Sequence, residues 1–274
     1  MNFFSRWRRA RTLQRYAIPE ALWQSALAAL PFLAEWHKSE LEALRAMSVL
    51  FLCDKNVVGA RGFKVTPFQR VVVAAQACIP VLKLGLEWYD DFETVVLYSD
   101  EFITNAEWED EDGVVHCDDE PIMGEAMPGG PVVLSWPDAL DPNRERSDEE
   151  AADEDETFSE ASKEDALPVN VVIHEFVHKL DMKNGEANGC PPLPPELPMA
   201  RWQQVMGRAY EDFCRRTDAD EDLGIDPYAS EHPAEFFAVM SETFFVARER
   251  LRETYPDVDE CFRVFYRWET IQAF

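Results

Sequence analysis

The amino-acid sequence predicts an α+β fold. The chain has 274 residues, of which 46% are hydrophobic, so it can bury a large core. Apolar residues recur at helical spacing over residues 18–53, 169–181 and 233–245. The β-branched run at 94–98 and the apolar run at 129–137, fenced by glycine and proline, predict strands instead.

The N-terminal part of the chain is predicted to be helical. Helices are expected to begin near Pro19, Ser39 and Pro67, because proline and a capping serine both suit the start of a helix. Residues 54–66 contain glycines and predict a turn with a short strand or two. We therefore predict an N-terminal helical portion over residues 1–87.

The second portion, residues 88–274, is expected to pack on the first as one compact unit. Prolines at both ends of segment 129–137 favour the edge of a sheet, where an extended peptide could pair with it. An ordinary edge strand is an equal alternative. Further helices are predicted over residues 201–216 and from Pro256 to Phe274.

Residues 145–165 form an acidic run of low complexity. They carry eleven acidic and two basic side chains and few apolar ones. Self-repulsion and the lack of apolar surface predict a solvated, mobile insertion. Its role is expected to be that of a spacer, or of an electrostatic gate that favours basic peptides.

Composition excludes several classes of protein. The formal net charge of −27 argues against binding to a nucleic-acid backbone. The longest apolar stretch, 71–86, is interrupted by Gln76, Pro80 and Lys83 and is too short to span a bilayer. Six cysteines without a Cys-x-x-Cys pair, and no secretory signal, predict reduced thiols in a cytoplasmic protein.

The segment His174-Glu175-Phe176-Val177-His178 predicts a metal site. Two histidines four residues apart on a helix share one face, so both rings can reach one ion. Glu175 lies beside them without sharing that position, which suits a general base acting on water. The pattern has only three fixed residues and also occurs by chance on ordinary helices.

A catalytic zinc site needs a third protein ligand from elsewhere in the chain. The downstream candidates are Asp181, Glu231, His232, Glu235 and Glu242. Glu235 is favoured, followed by Glu242, because Glu235 begins a helix whose far side is aromatic. Asp181 lies on the histidine face and is better placed to orient a histidine than to bind the ion.

Several further segments match one known family in the same order along the chain. Together with the histidine motif they resemble the Mlc titration factor A family from about Leu22 to Phe265. The matching segments are 80–88, 130–134, 174–181, 184–185, 226–229 and 233–242.

The resemblance implies a cytoplasmic bacterial metallopeptidase of the zincin type, similar to the protease domain of anthrax lethal factor. It implies one zinc ion held by His174, His178 and Glu235. Glu175 would then be the general base, and Tyr228 would stabilise the oxyanion. The implied substrate is a peptide, with aminopeptidase-type activity.

The same resemblance implies a transcriptional repressor of the Mlc type as a partner. The alternative to an enzyme is therefore a non-catalytic binding protein that sequesters such a regulator. The presence of Glu175 favours the enzyme, because a structural metal site needs no general base.

Overall fold

Helices packed around a small mixed sheet form the described part of the chain. The computed structural model describes residues 12–13, 15–103, 107–109, 115–117, 121–141, 167 and 169–268. This confirms the predicted α+β class. Among the described residues, no helix combines the length and the apolar character that crossing a membrane requires.

Three helices occur where the N-terminal pattern predicted them. They are α1 (Glu20–Ala28), α2 (Lys38–Asp54) and α3 (Pro67–Cys78). Thr66 caps α3, because its side chain accepts the backbone N–H of Gln69 while the Gln69 side chain accepts the N–H of Thr66. The predicted cap at Ser39 is wrong: the cap position is His37, two residues earlier, and its side chain makes no capping hydrogen bond.

Within the described residues, the strands form one four-stranded sheet and two short pairs. In chain order they are β1 (Asn56–Gly59), β2 (Thr94–Tyr98), β3 (Phe102–Ile103), β4 (Glu107–Glu109), β5 (Val115–Cys117), β6 (Pro121–Ile122), β7 (Gly124–Ala126) and β8 (Val132–Ser135). The main sheet has the order β1-β2-β8-β7, with β7 antiparallel to three parallel strands. The remaining strands pair as β3 with β6 and β4 with β5.

The predicted edge position of segment 129–137 is wrong. Strand β8 is internal, paired with β2 on one side and β7 on the other, and all four of its residues are buried. Pro131 and Pro137 lie just outside the strand, so neither removes an N–H from the ladder. The edge next to the candidate site is the short strand β7.

Two predictions concern residues that lie wholly or partly outside the described part of the chain. The polar segment 107–121 predicts loops or a hairpin around Gly113; the pairing of β4 with β5 fits the hairpin, and Gly113 itself lies outside the described residues. The acidic run 145–165 also lies outside the described residues, so its mobility stays a prediction. The division of the chain at residue 87 likewise stays a prediction.

The C-terminal half is helical. Its helices are α4 (Trp136–Leu140), α5 (Val171–Asp181), α6 (Met199–Thr217), α7 (Pro233–Val246), α8 (Arg248–Thr254) and α9 (Pro256–Phe265). Helix α9 ends before the predicted Phe274, because Arg267 adopts a left-handed conformation with φ of 55°. The N–H groups of Arg267 and Trp268 then bond back to the carbonyls of Val264 and Arg263, which closes the helix.

Aromatic packing fixes helix α7 in place. Phe237 contacts Trp202 of α6 and Phe262 and Phe265 of α9, with ring centroids 5.6–6.0 Å apart. Rings of this size dominate core energetics, so α7 is rigidly seated between its neighbours. Whatever α7 presents on its opposite face is therefore held firmly.

Candidate metal centre

Helix α5 carries the histidine motif and is anchored at its start and along one face. The side-chain oxygen of Asn170 accepts the N–H of Ile173 at 2.9 Å and caps the helix. The apolar face is fully buried through Val172, Ile173, Phe176, Val177 and Leu180. The imidazole rings of His174 and His178 stand one turn apart on the other face, with centroids 4.7 Å apart.

Three potential ligand atoms converge at this face. The Nε2 atoms of His174 and His178 are 3.0 Å apart. Glu235 of α7 places its Oε2 3.0 Å from the first and 3.2 Å from the second. These side chains are therefore a group that could hold a metal ion.

The donor set fits a divalent metal better than a hydrogen-bond cluster. Ligand atoms about 2.1 Å from a tetrahedral zinc ion are separated from one another by about 3.4 Å, close to the observed spacing. A ring nitrogen carries one proton at most, so three atoms at mutual hydrogen-bond distance compete for few protons. Two imidazoles and a carboxylate are also a usual zinc donor set.

Glu242 orients His174. Its Oε1 lies 2.6 Å from Nδ1 of His174; the side chain of Glu242 is buried and that of His174 is 12% exposed. An ionised carboxylate only accepts, so Nδ1 carries a proton and Nε2 is the nitrogen that faces the cluster, able to bind an ion once it gives up its own proton. From the sequence, Glu242 was a candidate for the third metal ligand. In the structure it instead contacts His174, which is itself a candidate ligand.

Charge at the centre is strongly coupled. Burial opposes the charged form of His174, but Glu242 and Glu235 raise its pKa well above the ordinary value. Burial also opposes the charge on Glu235, yet hydrogen bonds from both histidines hold the pKa of this carboxyl far below its usual range. The cluster therefore favours positive charge between its side chains, as a cation site does.

Glu175 lies against the edge strand. It is 6% exposed, and burial raises the pKa of its carboxyl. A Cβ atom on Gly124 of β7 would stand 2.6 Å from Oε1 of Glu175 and 2.8 Å from Cγ2 of Val171. Sequence reasoning missed Gly124, although a glycine inside a strand is a signal of close approach.

Tyr228 stands at the open side of the centre. It belongs to a 3-10 turn, Pro227–Ser230, in which Asp226 accepts its backbone N–H. Its ring centroid is 6.1 Å from that of His174, and the residue is 48% exposed. Partial burial, together with the charge of Glu235, raises the pKa of its hydroxyl to about 12, so the hydroxyl remains a proton donor.

The other candidates lie apart from the cluster. Asp181 accepts the N–H groups of Gly189 and Cys190 at 2.7 and 2.9 Å, so it ties down the loop after α5. Its predicted role of orienting a histidine is wrong: Glu242 holds Nδ1 of His174, and Nδ1 of His178 has no hydrogen-bond partner among the described residues. His232 caps α7 through Nδ1, and Glu231 is exposed just before it.

A paired-histidine helix, a glutamate from a second helix and a buried glutamate beside them form a candidate metal centre of the metallopeptidase class. The chain belongs to the family described as glucose-regulated metallo-peptidase M90, whose sequence model matches residues 4–267. The resemblance stated from the sequence is thereby confirmed.

Relatives of known name extend over nearly the whole chain. The Mlc titration factor A of Edwardsiella ictaluri is 35% identical over 269 residues, which cover 97% of this chain and 93% of the relative. The protein of the same name from Klebsiella pneumoniae subsp. pneumoniae is 35% identical over 254 residues, 92% of this chain and 88% of its own. That from Escherichia fergusonii is 35% identical over 246 residues, 89% and 84%.

Proposed function

We propose that this protein is a zinc-dependent peptidase of the zincin type. His174, His178 and Glu235 would hold one zinc ion per chain. The observation that carries the proposal is the convergence of their three ligand atoms beside the buried carboxyl of Glu175. Membership of a metallopeptidase family supports it.

Each residue around the centre would have its own role in peptide hydrolysis. Zinc, when bound, supplies Lewis-acid polarisation of the scissile carbonyl and makes water more acidic. Glu175 takes a proton from the attacking water and delivers it to the departing amine, a task that suits a buried carboxyl with a raised pKa. The Tyr228 hydroxyl, which stays protonated, donates to the developing oxyanion.

Strand β7 is proposed to bind the substrate. Within the described residues β7 pairs only with β8, and it lies directly over Glu175. An extended peptide could add to this edge through backbone hydrogen bonds and bring its carbonyl to the centre. The substrate-pairing role considered for segment 129–137 thus passes to Gly124–Ala126. Aminopeptidase-type activity, implied by the family resemblance, is the finer form of this proposal.

Zinc binding tests the ligand set. Purified protein should hold about one zinc per chain after dialysis, measured by elemental mass spectrometry. Alanine at His174, His178 or Glu235 should abolish this binding, because each removes one of three ligands. Glu231→Ala is the matched control, since Glu231 is an exposed acid four residues before Glu235, and it should retain full zinc.

One pattern would contradict this ligand set. Full zinc content in Glu235→Ala, together with loss of zinc in Asp181→Ala, would show that the third ligand has been misassigned. The contact between Glu242 and His174 makes some loss expected in Glu242→Ala.

Substitution of the proposed general base tests the chemistry. Glu175→Gln keeps the size of the side chain but cannot take a proton, so turnover should fall at least about 100-fold with zinc content unchanged. Tyr228→Phe should lower kcat with little effect on zinc. A peptide-library digest followed by mass spectrometry measures the hydrolysis rate of both variants, and elemental mass spectrometry measures their zinc content. Hydrolysis by Glu175→Gln at the wild-type rate would rule out the assigned role.

Gly124→Ala tests the contact between the edge strand and Glu175. The added Cβ would stand 2.6 Å from Oε1 and 2.7 Å from Cγ of Glu175, so the carboxyl or the strand must move. A displacement of this size is expected to lower kcat/KM about 100-fold while zinc is retained. Gly207→Ala is the control, because no atom lies within 4 Å of its added Cβ. Equal kcat/KM values for both variants would argue against a close edge strand.

The name of the relatives favours a second function. Relatives at 35% identity carry the name Mlc titration factor A, so we propose that this chain also binds a repressor of the Mlc type. Such binding can coexist with hydrolysis or replace it. Size-exclusion chromatography with purified repressor should show a complex with both wild type and Glu175→Gln, since this role needs no general base. Absence of a complex with wild type would remove the proposal.

A further inference from the structure

A buried chain of hydrogen bonds leads from the N-terminal helices to the metal centre. Gln76 of α3 donates from Nε2 to the carbonyl of Ala139 at 2.9 Å. Its Oε1 accepts from Nδ2 of Asn170 at 2.7 Å. The backbone N–H of Asn170 donates to Oε2 of Glu242 at 2.6 Å, and Oε1 of Glu242 faces Nδ1 of His174 at 2.6 Å.

Each link in this chain has only one consistent direction. The carbonyl of Ala139 can only accept, so the Gln76 atom that faces it must be Nε2. Oε1 of Gln76 then requires a donor, which sets the amide of Asn170 with Nδ2 towards Gln76 and Oδ1 towards the N–H of Ile173. Both ends of the chain of amides are therefore set by backbone groups.

The three side chains that form this chain of hydrogen bonds are almost completely buried. Gln76 is 1% exposed, Asn170 5% and Glu242 2%. Water cannot replace a lost partner there, so a broken link leaves an unpaired buried group and the neighbours must move. Movement at Asn170 shifts the N–H that holds Oε2 of Glu242, and hence the carboxylate that orients His174.

We propose that Gln76 and Asn170 are positioning residues of the metal centre. They hold Glu242 so that His174 keeps its proton on Nδ1 and directs Nε2 at the ion. The inference rests on the proposed function, because it presupposes that the centre binds zinc. It adds that the geometry of the centre is controlled by a glutamine on α3, nearly one hundred residues earlier in the chain.

The experiment compares two glutamines on the same helix. Gln76→Met keeps the length of the side chain but removes its hydrogen bonds to Ala139 and Asn170. Gln69→Met is the matched control: Gln69 is also buried on α3 and hydrogen-bonded, but its partner is Thr66 at the helix cap. Zinc dissociation constants are measured by chelator competition, and thermal unfolding is recorded for both variants without metal.

Zinc affinity should fall about 10-fold in Gln76→Met, at the lower end of the range for outer partners of metal ligands. Gln69→Met should keep wild-type affinity, although both substitutions lower Tm. Asn170→Ser retains a good helix cap and loses only the amide bridge, so it should match Gln76→Met. The variant that combines Gln76→Met and Asn170→Ser should lose no more zinc affinity than either single variant, because both substitutions break the same chain of hydrogen bonds.

Glu242→Gln shows the largest loss of zinc affinity that is expected when His174 loses its partner. Either orientation of the new amide places an NH2 group against a donor, the N–H of Asn170 or Nδ1–H of His174, so the affinity should fall by up to about 100-fold. A second readout needs no zinc: protection of the His174 Nδ1 proton from solvent exchange, followed by NMR, should drop in Gln76→Met and not in Gln69→Met.

The outcomes separate this inference from the proposed function. Wild-type protein that does not bind zinc would overturn both. Wild-type zinc binding with unchanged affinity in Gln76→Met and Asn170→Ser would overturn only the inference. Equal losses in Gln76→Met and Gln69→Met would also overturn it, since the effect would then be one of general stability. If Gln76→Met does not fold, Asn170→Ser decides the question.

Discussion

The contact between His174 and Glu242 organises the candidate centre. At 2.6 Å it joins α5 to α7 inside the core and assigns the proton of the imidazole. Glu235 stands two turns before Glu242 on the same helix, so one rigid element supplies both a candidate ligand and the partner of another. The aromatic packing of Phe237 holds that element from behind, and so the packing of two helices sets the spacing of three ligand atoms.

The centre also concentrates negative charge in a place where burial opposes it. Burial raises the pKa values of Glu175 and Glu242, whereas hydrogen bonds from the histidines keep Glu235 ionised. A buried charge is costly unless it is paired. The protonated imidazole of His174 meets this requirement in part. A divalent cation would meet it more fully, and this physical need connects the fold with the proposed zinc chemistry.

Helix α5 also contacts the sheet, through Lys179, a residue that lies between the two candidate histidine ligands and the end of the helix. The ammonium group of Lys179 is buried and donates to the carbonyls of Met127 and Gly130, in the turn between β7 and β8. Burial lowers the pKa of Lys179, but the ion pair with Asp91 at 3.3 Å opposes this. Gly124 then lets β7 approach Glu175. Helix α5 therefore positions the ligands, the proposed base and the proposed substrate-binding edge together.

The features of the site that depend on local periodicity follow from the sequence. Helical spacing brings His174 and His178 to one face, and the start of an aromatic-backed helix favoured Glu235. Tyr228 came from the family resemblance. Three features follow from the packing of distant segments instead: Glu242 rather than Asp181 orients His174, Gly124 lies against Glu175, and β7 rather than β8 is the edge strand. The physical reason is that these contacts join segments far apart in the chain, and no periodicity within one segment specifies which distant segment packs against it.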